Sequence, residues 1–461
     1  MTSLFRREPG FYRRLWVLTL PIVLQNLITT SLGFADTFMV GLLGNAEMAA
    51  VTAANVPVFI LQLVIFGFQS GLAVLVSQYW GRGDTDSINR CMGIALYAVT
   101  LFSLTVALIT FFLPAEVLRL VTPNEDLVAL GTSYIRIVGF ANVFNGISSV
   151  YAGMQRSTEN PRFGMILFAI SMCVNTFLNY VLIFGKFGAP HMGVTGAAAA
   201  TLISRIVEFA VALLYALRSR RIPLRPGLIL APGRDTLRRF VKYSVPVVCN
   251  ETLWGTGTSM LTVVMGHMAA SQDMLAAYSL MGNIDKLSTV ICFGLAASAA
   301  VMVGKEIGEG RDFQHVYDVA RTLLAVSVLV GLGVMVLQLV LLPTFFRPVL
   351  FPLFQLSPGA AAIATDLAVV YAIALPTRAF DVTNVTGVLR AGGDARVAVL
   401  IDVLPLWLFT VPLMAVCALV LKLPVIWVCL CLQSETLCKF PLGILRFRSR
   451  KWIHDITRSI E

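Results

Sequence analysis

Long apolar stretches run the length of this chain and leave few folds open to it. Twelve of them reach about 20 residues or more, at 15–40, 51–78, 91–113, 127–152, 163–184, 193–217, 240–267, 276–303, 320–346, 362–389, 396–420 and 424–446. A helix of that length crosses a hydrocarbon core of roughly 30 Å. In that solvent every backbone amide must find its partner within the protein, which helices do segment by segment. The alternating strand pattern of a membrane barrel is missing. Hydrophobic residues make up 57% of the chain and charged ones 13%, against about 25% charge in a soluble domain. The expected fold is an all-α integral membrane protein with twelve transmembrane helices.

The chain also repeats itself. Leu20-Pro21 opens a stretch ending at Met39-Val40-Gly41, and Val245-Pro246 opens one ending at Val264-Met265-Gly266. Gly81-Arg82-Gly83-Asp84 is answered by Gly308-Glu309-Gly310-Arg311, and Gly153-Met154-Gln155-Arg156 by Gly387-Val388-Leu389-Arg390. The offsets are 225, 227 and 234 residues. The sequence therefore predicts two pseudo-symmetric six-helix lobes. An amino-terminal lobe covers 1–217, a cytoplasmic linker 218–239, and a carboxy-terminal lobe with a basic tail 240–461. Two like halves suit a carrier whose substrate path lies between them.

Lys and Arg fall in alternate loops. The amino tail holds Arg6, Arg7, Arg13 and Arg14; the linker region holds eight, from Arg218 to Lys242; the tail from Lys439 to Arg458 is basic; the opposite side has only Arg119, Lys186, Arg347 and Lys422. By the positive-inside rule both termini are cytoplasmic, in a plasma membrane. This asymmetry accounts for the net charge of +10 without nucleic acid as a partner. The first stretch is too long for a signal peptide and is read as a span. No Gly-x-x-x-x-Gly-Lys-[Ser/Thr] motif is present, so the energy for uphill transport would have to come from an ion gradient or from a partner. The eight cysteines and four histidines show no metal or disulfide framework, and no cofactor is expected.

An ionisable side chain within a span costs at least about 2.5 kcal/mol, so each one invites a functional reading. Asp36 sits in the first span, either as an ion-binding carboxylate or at the outer interface, with Gln25 and Asn26 about three turns away. Glu251 lies deep in the seventh span beside Asn250, as a proton or Na⁺ carrier or as an interhelical tie. Asp381, in the tenth, either serves the same purpose or pairs with Arg378 three residues before it. Asp285 in the eighth span calls for a partner on another helix, while Arg205 and Glu208 are spaced as an ion pair. Asn175 and Asn179 share one face of the fifth span, to coordinate a cation or to join helices. The run Gly193 to Thr201 reads as close packing. Phe34 and Trp254 are among the aromatic residues that could stack on a planar cation.

Taken together, these stretches resemble the multidrug and toxic compound extrusion (MATE) family of cation-coupled antiporters, bacterial type. The resemblance rests on Leu20-Pro21 through Asp36-Thr37-Phe38-Met39-Val40-Gly41, on Val76 to Asp84, on Arg156 to Pro161 with Leu389 to Asp394, and on Asn175 to Tyr180 followed by Gly193 to Ala198. It implies two lobes around a cavity that opens alternately to each side. It also implies export of organic cations or amphipathic drugs in exchange for H⁺ or Na⁺, by a protein that works as a monomer. Under it, Asp36 matches a coupling acid of the amino-terminal lobe and Asn175 an amide near that acid. Asn179 stands where one branch often has an acid. Glu251 and, approximately, Asp381 match cation-binding acids of the NorM-like branch. Parts of two patterns are thus present, and the coupling ion stays open.

Two other readings compete. A flippase for lipid-linked oligosaccharides, from the same wider superfamily, needs cavity bases for pyrophosphate, and only Arg136, Arg205, Lys286 and Arg378 are read as intramembrane. A membrane-embedded enzyme needs a nucleophile–base pair or a metal cluster, and neither is visible.

Overall fold

The computed structural model describes residues 2–5, 7–268 and 271–457. Arg6 and Arg458, counted above among the basic residues of the tails, lie outside them. Twelve long helices follow one another: α1 (Phe11–Gly41), α2 (Asn45–Gly81), α3 (Thr85–Phe112), α4 (Glu125–Ser157), α5 (Pro161–Phe184), α6 (Gly193–Arg218), α7 (Arg234–Gly266), α8 (Ser271–Gly308), α9 (Phe313–Leu353), α10 (Pro358–Leu389), α11 (Ala395–Val420) and α12 (Val425–Arg448). Eleven are long and apolar enough to cross a membrane. The remaining one, α7, is continuous over 33 residues. Lys242, Asn250, Glu251 and the Thr-, Ser- and Gly-rich turns that follow dilute its apolar character.

Capping follows the sequence. Asp84 accepts from the Ser87 amide at 2.9 Å to start α3, Asn124 starts α4, and Ser357 starts α10. Each satisfies an amide that a helix start otherwise leaves unpaired. Outward positions carry large apolar side chains, Leu101, Leu217, Ile373 and Leu408 among them, all more than half exposed. That outer face suits lipid, which costs an apolar side chain nothing.

By its internal packing the chain divides into two compact units, residues 20–251 and residues 1–19 with 252–461. The divisions fall inside α1 and α7, close to Pro21 and Pro246. In the amino unit, Gly67 and Gly71 of α2 form a groove one turn long. Ser244 and Val248 of α7 fill it so closely that a Cβ at either glycine would meet their backbone. Gly196 of α6 likewise lies against the Leu182 carbonyl of α5, as the small-residue run led us to expect. Segment 218–239 is strapped along α3: Asn89 donates to Pro223 O and accepts from the Arg225 amide, Arg90 donates to Pro232 O, and Arg225 pairs with Asp86.

In the carboxy unit, Arg7 and Thr19 near the amino end pack on α9 and α8. Thr19 donates to Ser298 at 2.9 Å, and Arg7 donates to Thr322 Oγ1 and Asp318 O, each at 2.6 Å. This unit also holds the π-helical segments found among the described residues, Leu342–Leu350, Thr383–Leu389, Leu406–Thr410 and Val416–Val420. Such widened turns recur at functional sites because they re-aim side chains.

Candidate functional sites, one in each unit

In the amino unit the polar groups singled out on α1 and α5 come together. Asn179 Nδ2 donates to Asp36 Oδ1 at 2.5 Å and to Asn175 Oδ1 at 2.9 Å. Asn175 in turn donates toward Thr201 and Ser204 of α6, both at 3.4 Å. One turn on, Arg205 pairs with the fully buried Glu208 at 2.6 Å, the i, i+3 pair that the spacing predicts. The hydrogen-bonded series Asp36–Asn179–Asn175–Ser204 thus leads from the acid to α6, the helix that carries Arg205. Gln25 stands apart, about 16 Å down α1 at 1.5 Å per residue, buried beside Gly164 of α5. Asn26 is half-buried and Phe34 exposed.

In the carboxy unit the pairing differs from the one the spacing offered. Arg378 does not neutralise Asp381; it forks onto Asp285 of α8, with Nη1–Oδ1 at 2.5 Å and Nη2–Oδ2 at 2.9 Å. A guanidinium matches a carboxylate best with both nitrogens, and Asp285 accepts both. Asp381 is therefore left 6% exposed, with no hydrogen-bond partner for either carboxylate oxygen among the described residues. The charged groups acting on it are Lys439 and Glu435 of α12, Asp402 of α11 and Arg378 of its own helix.

Three of these are residues that sequence reasoning missed. Lys439, counted with the basic tail, is buried in α12, where it binds Asp402 Oδ1 at 2.6 Å and also Glu435. Arg390, which ends the repeated Gly387–Arg390 motif, is buried as well and reaches Asp402 Oδ2 at 3.6 Å. The four-residue spacing of Glu435 and Lys439, and Asp402 in the middle of an apolar stretch, were the signals available. Trp254 donates its indole N–H to Glu435 at 3.3 Å, which ties it to this network. Glu251 is half-buried next to the buried Asn250 and ends the amino unit, at the point where α7 passes into the carboxy unit. Among the described residues no three His, Cys, Asp or Glu side chains are grouped to hold a metal ion.

A sequence model of the MatE family matches residues 21–181 and 246–416, one segment in each half of the repeat. The chain belongs to the MatE family. Curated MATE relatives include the probable multidrug resistance protein NorM of Thermotoga maritima, 25% identical over 96% of this chain and 94% of its own length. The uncharacterized transporter YisQ of Bacillus subtilis is 25% identical over 95% and 94%, and the multidrug resistance protein MdtK of Edwardsiella ictaluri 25% over 87% and 86%. Solved structures share the fold. A MOP-superfamily transporter from Pyrococcus furiosus gives a TM-score of 0.84 at 17% identity, over 97% of this chain and 98% of that one. The Vibrio cholerae MATE transporter VcmN, solved as a point mutant, gives 0.80 at 20% identity over 98% and 100%. The all-helical, two-lobed MATE expectation stands, and a membrane-embedded enzyme is set aside, since the relatives are transporters. MATE proteins are ion-coupled and need no cofactor.

Proposed function

We propose that this chain is a secondary active antiporter of the plasma membrane, both termini cytoplasmic, that exports organic cations or amphipathic drugs in exchange for H⁺ or Na⁺ by alternating access. The observation that carries the reading is Asp381. A carboxylate this buried, with both oxygens unpartnered among the described residues, is too costly to keep as a bare charge. It calls for an exchangeable cation. Asp36, held by an amide donor, offers a second candidate acid in the other unit, and Glu251, half-buried on α7, is a further candidate.

An acid that binds either the coupling ion or a cationic drug, but not both, makes inward ion flow accompany outward drug flow. Multidrug resistance is the name that NorM of T. maritima and MdtK of E. ictaluri carry, which supports a broad organic substrate. The flippase reading loses ground. The intramembrane bases Arg378, Arg390 and Lys439 all face acids and are not at liberty to hold a pyrophosphate.

The test is reconstitution in liposomes with a fluorescent organic cation under an imposed pH or Na⁺ gradient. One gradient should drive the dye in wild type, and Asp381→Asn should abolish that drive while folded protein is retained. If neither gradient moves the dye in folded wild type, the antiport reading is wrong. Full ion-driven flux in Asp381→Asn would remove this acid from coupling.

A further inference from the structure

The Asp381 network contains a cation of its own, and its placement is what the antiport reading leaves unexplained. Two contacts fix α10 against α12 on either side of Asp381. The rings of Phe380 and Phe440 meet at 5.0 Å, and one turn on Asn384 Nδ2 donates to Gly443 O at 3.1 Å. Asp381 follows Phe380 and Lys439 precedes Phe440, so the same register brings carboxylate and ammonium onto the shared interface. Both are buried, Lys439 at 7% exposure. An ammonium has three N–H donors, and the described contacts use two of them, on Asp402 and Glu435. With Arg390 on the second oxygen of Asp402, the cluster holds three carboxylates, Asp381, Asp402 and Glu435, against two cations. Among these named groups one positive charge is wanting, which is what a single proton or Na⁺ would supply.

The repeat places a counterpart in the other unit. Lys439 lies 234 residues after Arg205, the same offset that relates Arg390 to Arg156. Arg205 too sits on the sixth helix of its repeat and is held by an acid one turn away, Glu208. It is also the charged group that acts on Asp36. The two coupling acids occupy different helices of the repeat, α1 and α10, yet each has a base at the same position of the sixth.

We propose that Lys439 is the resident counter-cation of Asp381, the charge with which an incoming coupling ion competes. Glu435 and Asp402 are its parking positions. When a proton or Na⁺ neutralises Asp381 the ammonium stays on them, the arrangement seen in this structure; when the ion leaves, it turns its third donor to Asp381. The inference rests on Asp381 being a coupling acid. Lys439 is thus a positioning residue that tunes how tightly the ion is held, not a ligand for drug.

The experiment measures, in proteoliposomes of full-length protein, the concentration of the driving ion (H⁺ or Na⁺) that gives half-maximal dye flux. Lys439→Met removes the competitor and should lower that concentration at least about tenfold, since one unit charge acting on another inside a protein is worth more than a factor of ten. Lys439→Arg should stay near wild type. Glu435→Gln frees the ammonium from one parking position and should raise the concentration. If Lys439→Met folds poorly, the double variant Lys439→Met with Glu435→Gln removes one charge of each sign, keeps Asp402 with Arg390, and should still shift downward.

A fall in maximal flux with an unchanged half-saturating concentration in these variants would overturn the proposal and make Lys439 a structural tie. Asp381→Asn separates the two readings. If it abolishes ion dependence while the Lys439 variants shift nothing, only the counter-cation falls. If ion dependence survives Asp381→Asn, the coupling role of Asp381 falls, and the counter-cation with it.

Discussion

Breaking the Arg378–Asp285 fork is the most direct check on how charge is arranged in the carboxy unit. The two side chains are 26% and 15% exposed and share two hydrogen bonds, at 2.5 and 2.9 Å. Removing one partner of a fully buried pair costs about 3–5 kcal/mol, because the other charge is stranded. Partial exposure puts this pair at the lower end, near 3 kcal/mol. Arg378→Met and Asp285→Asn should each cost about that much. Asp285→Asn with Arg378→Gln, which strands no charge, should recover most of it and leave a deficit of about 1 kcal/mol.

At about 2–4 °C per kcal/mol for a unit of this size, each single variant should melt roughly 6–12 °C below wild type, and the double variant only a few degrees below. Thermal unfolding of detergent-purified protein, followed by size-exclusion fluorescence, measures all four. The double variant should keep its ion-driven flux, since the hydrogen bonds of Arg378 go to Asp285 and not to Asp381. The reasoning fails if Asp285→Asn melts like wild type while Arg378→Met does not. That pattern would return Arg378 to Asp381, as the three-residue spacing alone suggested.

Two further expectations follow from individual contacts. Gly196→Val places a branched side chain against the Leu182 carbonyl. It should cost about 1–3 kcal/mol, read as a lower yield of monodisperse protein, while the same change at Gly333, which nothing crowds, should be nearly silent. Asn179→Ala removes the amide donor from Asp36. A hydrogen bond to a charged group is worth about 1.5–3 kcal/mol, so the ion concentration for half-maximal flux should move by at least tenfold; no movement would leave Asn179 as packing.

Much of the architecture was readable because lipid imposes it. Helix length, apolar runs and the repeat all follow from hiding backbone amides in hydrocarbon, and eleven of the twelve expected helices have the apolar length to cross. The exception, α7, is where polar residues crowd a span. Four-residue spacing puts Asn175 and Asn179 on one face of their helix, but that Asn179 meets Asp36 from that face is shown only by the fold. The carboxy unit was harder to read. Arg378 had a near neighbour in sequence and a better-shaped partner on another helix, and spacing cannot rank those two. Lys439 was hidden by its company, since a lysine next to a basic tail reads as solvated. Only the fold shows that α12 carries it inward to Asp402 and Glu435.

The passage of α1 and α7 from one compact unit into the other sets an order on biogenesis. The groove at Gly67 and Gly71 is filled by Ser244 and Val248, so the amino unit stays unfinished until the ribosome has passed the middle of the message. Residues 1–19 are made first, yet Thr19 and Arg7 bind Ser298 and Thr322, which are made much later. Neither half can mature as it emerges. The insertion machinery has to shelter an open α2 and an undocked amino terminus until translation supplies what closes them.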